Sequence, residues 1–221
     1  NYKLYGYDLG NLAVTAPVAS PEEINKFVGS RPGKALKFLE EKLDFLMPYG
    51  GRKFYFEPFF NFNRRFFRLP PNVYLEGYFQ SERYFKNIEA ITRKEFTLRE
   101  EAGESYKALA GNMSNTNSVS IHFRRGDYVT NQGINKIFGT PPLEYYHTAV
   151  KKMAEMVKDP HFYVFSNDIE WVKNNFKTKY PTTYVADATL KNFHEISLMS
   201  KCRHNIIANS TFSWWGAWLN A

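Results

Sequence analysis

Apolar residues recur along the second half of this chain with two clean periods. Short runs at Val119–Phe123, Phe162–Phe165, Thr183–Val185 and Asn205–Ala208 read as strands. Between them lie segments with helical spacing. Leu143, Tyr146, Val150, Met153 and Val157 form one stripe, Ile169–Phe176 and Phe193–Lys201 follow, and a last helix starts at Ser210 or Thr211. Thr130 to Pro142, rich in Gly, Asn and Pro, reads as a loop. Strands alternating with helices predict a parallel sheet covered on both faces, an α/β fold.

The first half is less regular. Pro17, Pro21 and Pro32 punctuate its start, and Ser20 reads as the N-cap of a short helix opening at Pro21. Leu36, Leu39, Leu43 and Leu46 predict a helix over Lys34–Met47 that Pro48 ends. Lys53–Glu57 and Asn72–Phe79 read as strands, and Ser81–Lys94 as a helix capped by Ser81. The polar run Met113–Asn117 reads as a linker, dividing the chain into domains at 1–115 and 116–221.

Composition narrows the field only modestly. Of the 221 residues, 43% are hydrophobic and 18% aromatic, ample for a real core. The formal charge of +7 suits a nucleic acid, an anionic membrane surface or a phosphorylated small molecule. Its basic residues are scattered rather than clustered, so nucleic acid is not the expected partner. Cys202 is the single cysteine, which excludes an intrachain disulfide and fits a buried structural thiol in a reducing compartment. No stretch approaches the roughly 20 apolar residues that span a bilayer. A cytoplasmic protein with peripheral contact to an anionic membrane is the expectation.

The candidate chemistry sits at the carboxyl ends of the strands. The first delivers His122, Arg124, Arg125 and Asp127, with Gly126 allowing a sharp turn; the others deliver Ser166, Asn167 and Asp168, then Asp187, then Asn209, Ser210 and Thr211. Adjacent guanidiniums match the oxygens of a diphosphate. The plainer alternative has Arg124 or Arg125 pairing with Asp127 to brace a loop. Asp168 and Ser210 read as helix caps, and a helix start with small hydroxylic residues is also an anion site. Asp187 is either a turn-forming Asx residue or an acceptor for a guanine edge. Trp214-Trp215 reads as helix core. No Walker loop, dinucleotide fingerprint, zinc spacing or Gly-x-Ser-x-Gly elbow occurs, so no metal or cofactor is expected.

Four ordered segments carry a resemblance: YLEGYFQSERYF (Tyr74–Phe85), IHFRRGDY (Ile121–Tyr128), VFSNDIEWVK (Val164–Lys173) and NIIANSTFSWWGAWLN (Asn205–Asn220). Together they resemble the α-1,2-fucosyltransferases of glycosyltransferase family 11, in their bacterial form. The resemblance implies two Rossmann-like domains of the glycosyltransferase B type and metal-free, inverting transfer of fucose from GDP-fucose to the 2-hydroxyl of galactose in a glycan. It implies that Arg124 meets the β-phosphate and His122 the nucleotide. Asp187 would read guanine, and Ser210, Thr211 and the Phe212 backbone would hold the diphosphate. Asp127 is the candidate base for the acceptor hydroxyl, or else it orients an arginine. Gly10-Asn11-Leu12 echoes only poorly the glycine-rich segment that opens the family pattern, so the N-terminal domain is expected to be incomplete.

Overall fold

The computed structural model describes residues 7–28 and 48–220, without the side chains of Val28, Asp127 and Ile134. The helix expected over Lys34–Met47 lies outside the described residues. Packing divides the chain into two compact units: the described residues of Asn1–Val14 with Arg93–Ala221, and those of Thr15–Thr92. The polar run Met113–Asn117 therefore lies inside the first unit rather than at its edge. Met113 is fully buried there, because its thioether joins the core beneath the sheet.

In the smaller unit, α1 (Pro21–Val28) opens with reciprocal bonds. The Glu23 N–H donates to Ser20 Oγ (3.2 Å), and the Ser20 N–H donates to Glu23 Oε2 (2.8 Å). Strands β1 (Phe54–Phe56) and β2 (Tyr74–Glu76) pair in parallel. Buried Tyr55 packs edge-on against Phe66, which also meets Phe79 and Tyr84. The helix expected over Ser81–Lys94 is broken. Two short 3-10 turns, Glu82–Tyr84 and Lys86–Ile88, precede α2 (Glu89–Glu95), while Ser81 Oγ does accept from the Arg83 N–H.

The larger unit holds the alternating pattern. Helix α3 (Glu104–Ser114) leads into β3 (Asn117–Phe123). An excursion follows through α4 (Gly126–Thr130) and α5 (Gln132–Phe138) to α6 (Leu143–Met156). Then come β4 (Pro160–Ser166), α7 (Ile169–Asn175), β5 (Thr182–Tyr184), α8 (Asn192–Lys201), β6 (His204–Ile206) and α9 (Thr211–Trp218). Residues 130–142 are thus largely helical where a loop was expected. The Asn135 N–H closes a helical bond to the Asn131 carbonyl (2.9 Å), so residues with strong turn preference serve inside and beside a short helix.

All four strands run parallel in the order β5-β4-β3-β6. Alternate residues of β3 and β4 serve two cores. Val119, Ile121, Phe123, Phe162 and Val164 face Tyr146, Val150, Val172 and Phe176, from α6, α7 and just beyond. Tyr163 and Phe165 face Tyr106, Met113, Leu198, Met199 and Cys202, from α3, α8 and its C-terminal end. On this second side β3 is polar yet buried, and its two serines are bonded. Ser118 Oγ accepts from the Arg203 N–H (3.2 Å), and Ser120 Oγ accepts from Asn205 Nδ2 (2.7 Å). Burial pushes the Cys202 thiol up to about 12, as suits a structural cysteine.

Strand order, not strand direction, reverses between β3 and β6. The β3–β4–β5 connections grow one way, and β6 returns to the other edge of β3. A crevice opens outside the carboxyl ends of the strands at such a switch point. Close helix packing supports it: a Cβ on Gly216 of α9 would come within 2.9 Å of Met199 Cβ on α8. Gly216→Val should therefore lower stability by about 1–3 kcal/mol through overpacking. Gly103→Ala, which meets open space, should stay within about 0.5 kcal/mol. Urea unfolding of both variants checks this; equal midpoints would remove the close-packing argument.

Candidate functional site

The strand-end crevice is a cleft of about 440 Å³. His122 and Arg124 from the end of β3, Asn167 from the end of β4, and Phe212 and Trp215 from α9 line it. Asn192, Phe193, Glu195 and Ser197 of α8 form another wall. Asp8, Leu9 and Leu12 contribute from the N-terminal segment, which an antiparallel bridge between Leu12 and Leu98 fastens to the unit.

The two arginines have different fates. Arg125 is turned away and locked. Its N–H donates to Asn167 Oδ1 (3.0 Å), its Nε donates to Asp168 Oδ2 (3.3 Å), and its guanidinium carbon lies 3.2 Å from the centre of the Trp171 ring. Arg125 is thus braced by Asp168, a different partner from the one the bracing alternative named. Asp168 occupies the N-cap position of α7 without the capping bond expected of it, because its carboxylate serves Arg125. Ser166 Oγ accepts from the Asp168 N–H instead (3.0 Å). Gly126 has φ +21°, and a Cβ there would lie 2.2 Å from Asn167 Nδ2, so the turn requires glycine. Arg124 is left facing the cleft, half-buried, with its guanidinium over the Tyr128 ring at 5.2 Å.

His122 is buried, with its ring 5.0 Å from that of Phe212. Desolvation first, and then the charge of Arg124, hold its pKa down at about 3, so the imidazole is neutral at physiological pH. Its Nδ1 is buried with no hydrogen-bond partner among the described residues. Glu195, half-buried, is a second titratable group on this cleft. Desolvation raises its carboxyl to about 7, and among the described residues nothing pairs with it. A buried ring nitrogen left unbonded on the cleft is costly unless a ligand satisfies it, and the half-buried carboxyl of Glu195 faces the same space.

The remaining expected residues fall around this frame. Ser210 is the N-cap of α9, its Oγ accepting from the Phe212 N–H at 3.3 Å; Thr211 opens the helix beside it. Neither side chain lines the cleft, whereas Phe212 does. Asp187 stands apart from the cleft. Its Oδ1 accepts from the Thr189 N–H (2.8 Å) and hydroxyl (2.6 Å), and Oδ2 accepts from the Ser105 hydroxyl. These bonds hold its carboxyl down at about 2. That is the Asx-turn arrangement, with α3 tied to it. The backbone of Asp127 lies in α4; its side chain is outside the described set.

Sequence reading overlooked Glu195 and Trp215. The signal for Glu195 was an acid on a helix otherwise apolar at Phe193, Ile196, Leu198 and Met199. Trp215 was read as core, but it stacks on Phe96 (4.7 Å, 20°) and forms part of the cleft wall. Among the described residues no three His, Cys, Asp or Glu side chains cluster to hold a metal ion, and no helix is long and apolar enough to cross a membrane.

Several known glycosyltransferases match parts of this chain. The chain is 44% identical over 108 residues to the O-antigen biosynthesis glycosyltransferase WbnK of Escherichia coli, covering 48% of this chain and 35% of the relative. It is 39% identical over 145 residues to an alpha-1,2-colitosyltransferase of Escherichia coli, covering 65% of this chain and 50% of that protein. It is 28% identical over 160 residues to human galactoside alpha-(1,2)-fucosyltransferase 1, covering 67% and 43%. The chain thus spans between about a third and a half of the length of these relatives. Residues 46–221, most of the chain, match the profile of glycosyl transferase family 11, and the chain belongs to that family.

Proposed function

We propose that the cleft binds the nucleoside diphosphate of GDP-fucose and that the protein transfers L-fucose, with inversion, to the 2-hydroxyl of a galactose in a glycan. The observation that carries this reading is the convergence of His122, Arg124, Glu195 and Phe212 on one cleft at the switch point of the sheet. Its unsatisfied groups suit guanine, whose edges offer both acceptors and N–H donors. Neutral His122 Nδ1 and ionised Glu195 are complementary to those edges. Glu195 is the better carboxylate for this task, since both oxygens of Asp187 are engaged elsewhere.

Breaking the fucosyl–phosphate bond leaves negative charge on the β-phosphate. Arg124 and the start of α9 stabilise that charge in place before the bond breaks, which is where electrostatic catalysis gains most. The Phe212 N–H, held by Ser210 at 3.3 Å, makes a long cap bond that a phosphate oxygen can replace. Thr211 belongs to the same helix start. Asp127 accepts the proton of the acceptor hydroxyl as that oxygen attacks the anomeric carbon from the face opposite the leaving diphosphate. No metal is required, because fixed protein charge supplies what a divalent cation would. A second reading concerns the sugar alone: the relative that is a colitosyltransferase favours including other deoxyhexoses on the same nucleotide in the assay. Peripheral contact with an anionic membrane belongs to the same proposal and rests on the chain's positive charge.

Three outcomes are expected. Arg124→Ala should abolish measurable GDP binding by calorimetry and cost roughly 3 kcal/mol or more in the transfer barrier, by analogy with loss of one oxyanion donor; unchanged affinity would remove the phosphate assignment. Transfer from GDP-fucose to a panel of β-galactosides should survive chelator, and Asp127→Asn should lower kcat while leaving GDP affinity in place. The third outcome is a pH profile. Because the Glu195 carboxyl is raised to about 7, GDP should bind more tightly as pH rises from 5.5 to 8. Glu195→Gln should flatten that rise and weaken binding about ten- to a hundredfold, the worth of hydrogen bonds to a charged group. The sign for the free protein is opposite. A carboxyl whose pKa is raised on folding stabilises fully below its unfolded value and loses that contribution as pH rises to about 7, so Glu195→Gln should melt higher than the parent at pH 8 and alike at pH 4.5. Parallel pH profiles for the two proteins would rule this out.

A further inference from the structure

The two sides of the proposed diphosphate site come from different strands, and one chain of contacts joins them. Arg124 lies over the Tyr128 ring at 5.2 Å. Tyr128 stacks on Phe138, with ring centres 5.5 Å apart and planes at 21°. Asn135 Nδ2 donates to the Tyr128 carbonyl (2.7 Å), folding α5 back on α4. At the end of α5, Asn209 Nδ2 donates to the Phe138 carbonyl (2.6 Å) and reaches the Gly139 carbonyl (3.3 Å). Asn209 immediately precedes Ser210, the cap of α9. The same loop is pinned from its other side, where the Tyr145 hydroxyl of α6 donates to the Ile207 carbonyl (2.7 Å).

The excursion needs such fastening. Ile137 is 74% exposed and Val129 45%, so among the described side chains these apolar residues of the two short helices bury little surface. Specific tethers, rather than a core, determine where α4 and α5 sit. We infer that Asn209 and Tyr128 are positioning residues: Asn209 fastens the excursion to the start of α9, Tyr128 carries the Arg124 guanidinium, and together they set the span that a diphosphate must fill. This inference rests on the reading that Arg124 and the α9 start share the diphosphate.

Titration calorimetry with GDP and with GMP separates positioning from mere bracing, because GMP lacks the phosphate that the two sides share. The parent protein should favour GDP, and Arg124→Ala should erase the preference. Asn209→Ala and, independently, Tyr128→Leu should weaken GDP roughly three- to tenfold, as for one lost hydrogen bond or one cation–π contact, with GMP affinity held within about twofold. Tyr128→Phe, which keeps the ring, should retain the parent's GDP-to-GMP ratio. Circular dichroism melts confirm that each variant is folded. Should both variants keep the parent's ratio, or weaken GDP and GMP alike, the positioning role is overturned while the diphosphate reading stands. Equal affinity of the parent for GDP and GMP would remove the diphosphate reading and this inference with it.

Discussion

The clamp on Arg125 decides the chemistry of this site. Two neighbouring guanidiniums leave β3, and only one of them enters the cleft. The other is held by a carboxylate on one side and an indole face on the other, with Asn167 filling the space that Gly126 leaves open. Charge pairing and ring stacking together make that placement far more definite than either alone, since Arg offers both a planar face and a directional fork. A turn so fixed sends Arg124 the opposite way. The end of β4 thus governs the end of β3.

A second constraint is the cost of unsatisfied polarity. His122 Nδ1 is buried without a partner among the described residues, and desolvation raises the carboxyl of half-buried Glu195. The fold tolerates this because the residues around them are well packed: Phe212 against the imidazole, Trp215 against Phe96, and α8 against α9 at Gly216. Local instability concentrated in a rigid frame is the usual physical signature of a binding site. Asp187 supplies the contrast. It has the same functional group at a strand end, but both of its oxygens are bonded, to Ser105 and to Thr189.

The parallel sheet was legible because strands covered on both faces write themselves as apolar runs, and the intervening helices kept their 3.6-residue stripes. His122, Arg124 and Phe212 were legible because strand ends and helix starts can be located from those same periods. The failures have specific causes. Residues 130–142 looked like loop because Gly, Asn and Pro recur through them, whereas tethers from Asn209 and Asn135 hold a helix there. Asp168 looked like a cap because position alone suggests one, yet a nearby cation competed for it and won. Trp215 looked like core because aromatic rings in an apolar helix usually are.

Periodicity and residue type, then, sufficed for the four strands of the parallel sheet and the main helices between them, since these depend on neighbours close in sequence. Which carboxylate is free, which arginine faces the cleft and which tryptophan lines it were decided only in three dimensions. Each depends on a partner brought from 40 to 120 residues away, as Asn167 is to Arg125 and Phe96 to Trp215. No local pattern encodes which of several chemically suitable groups will arrive first and closest.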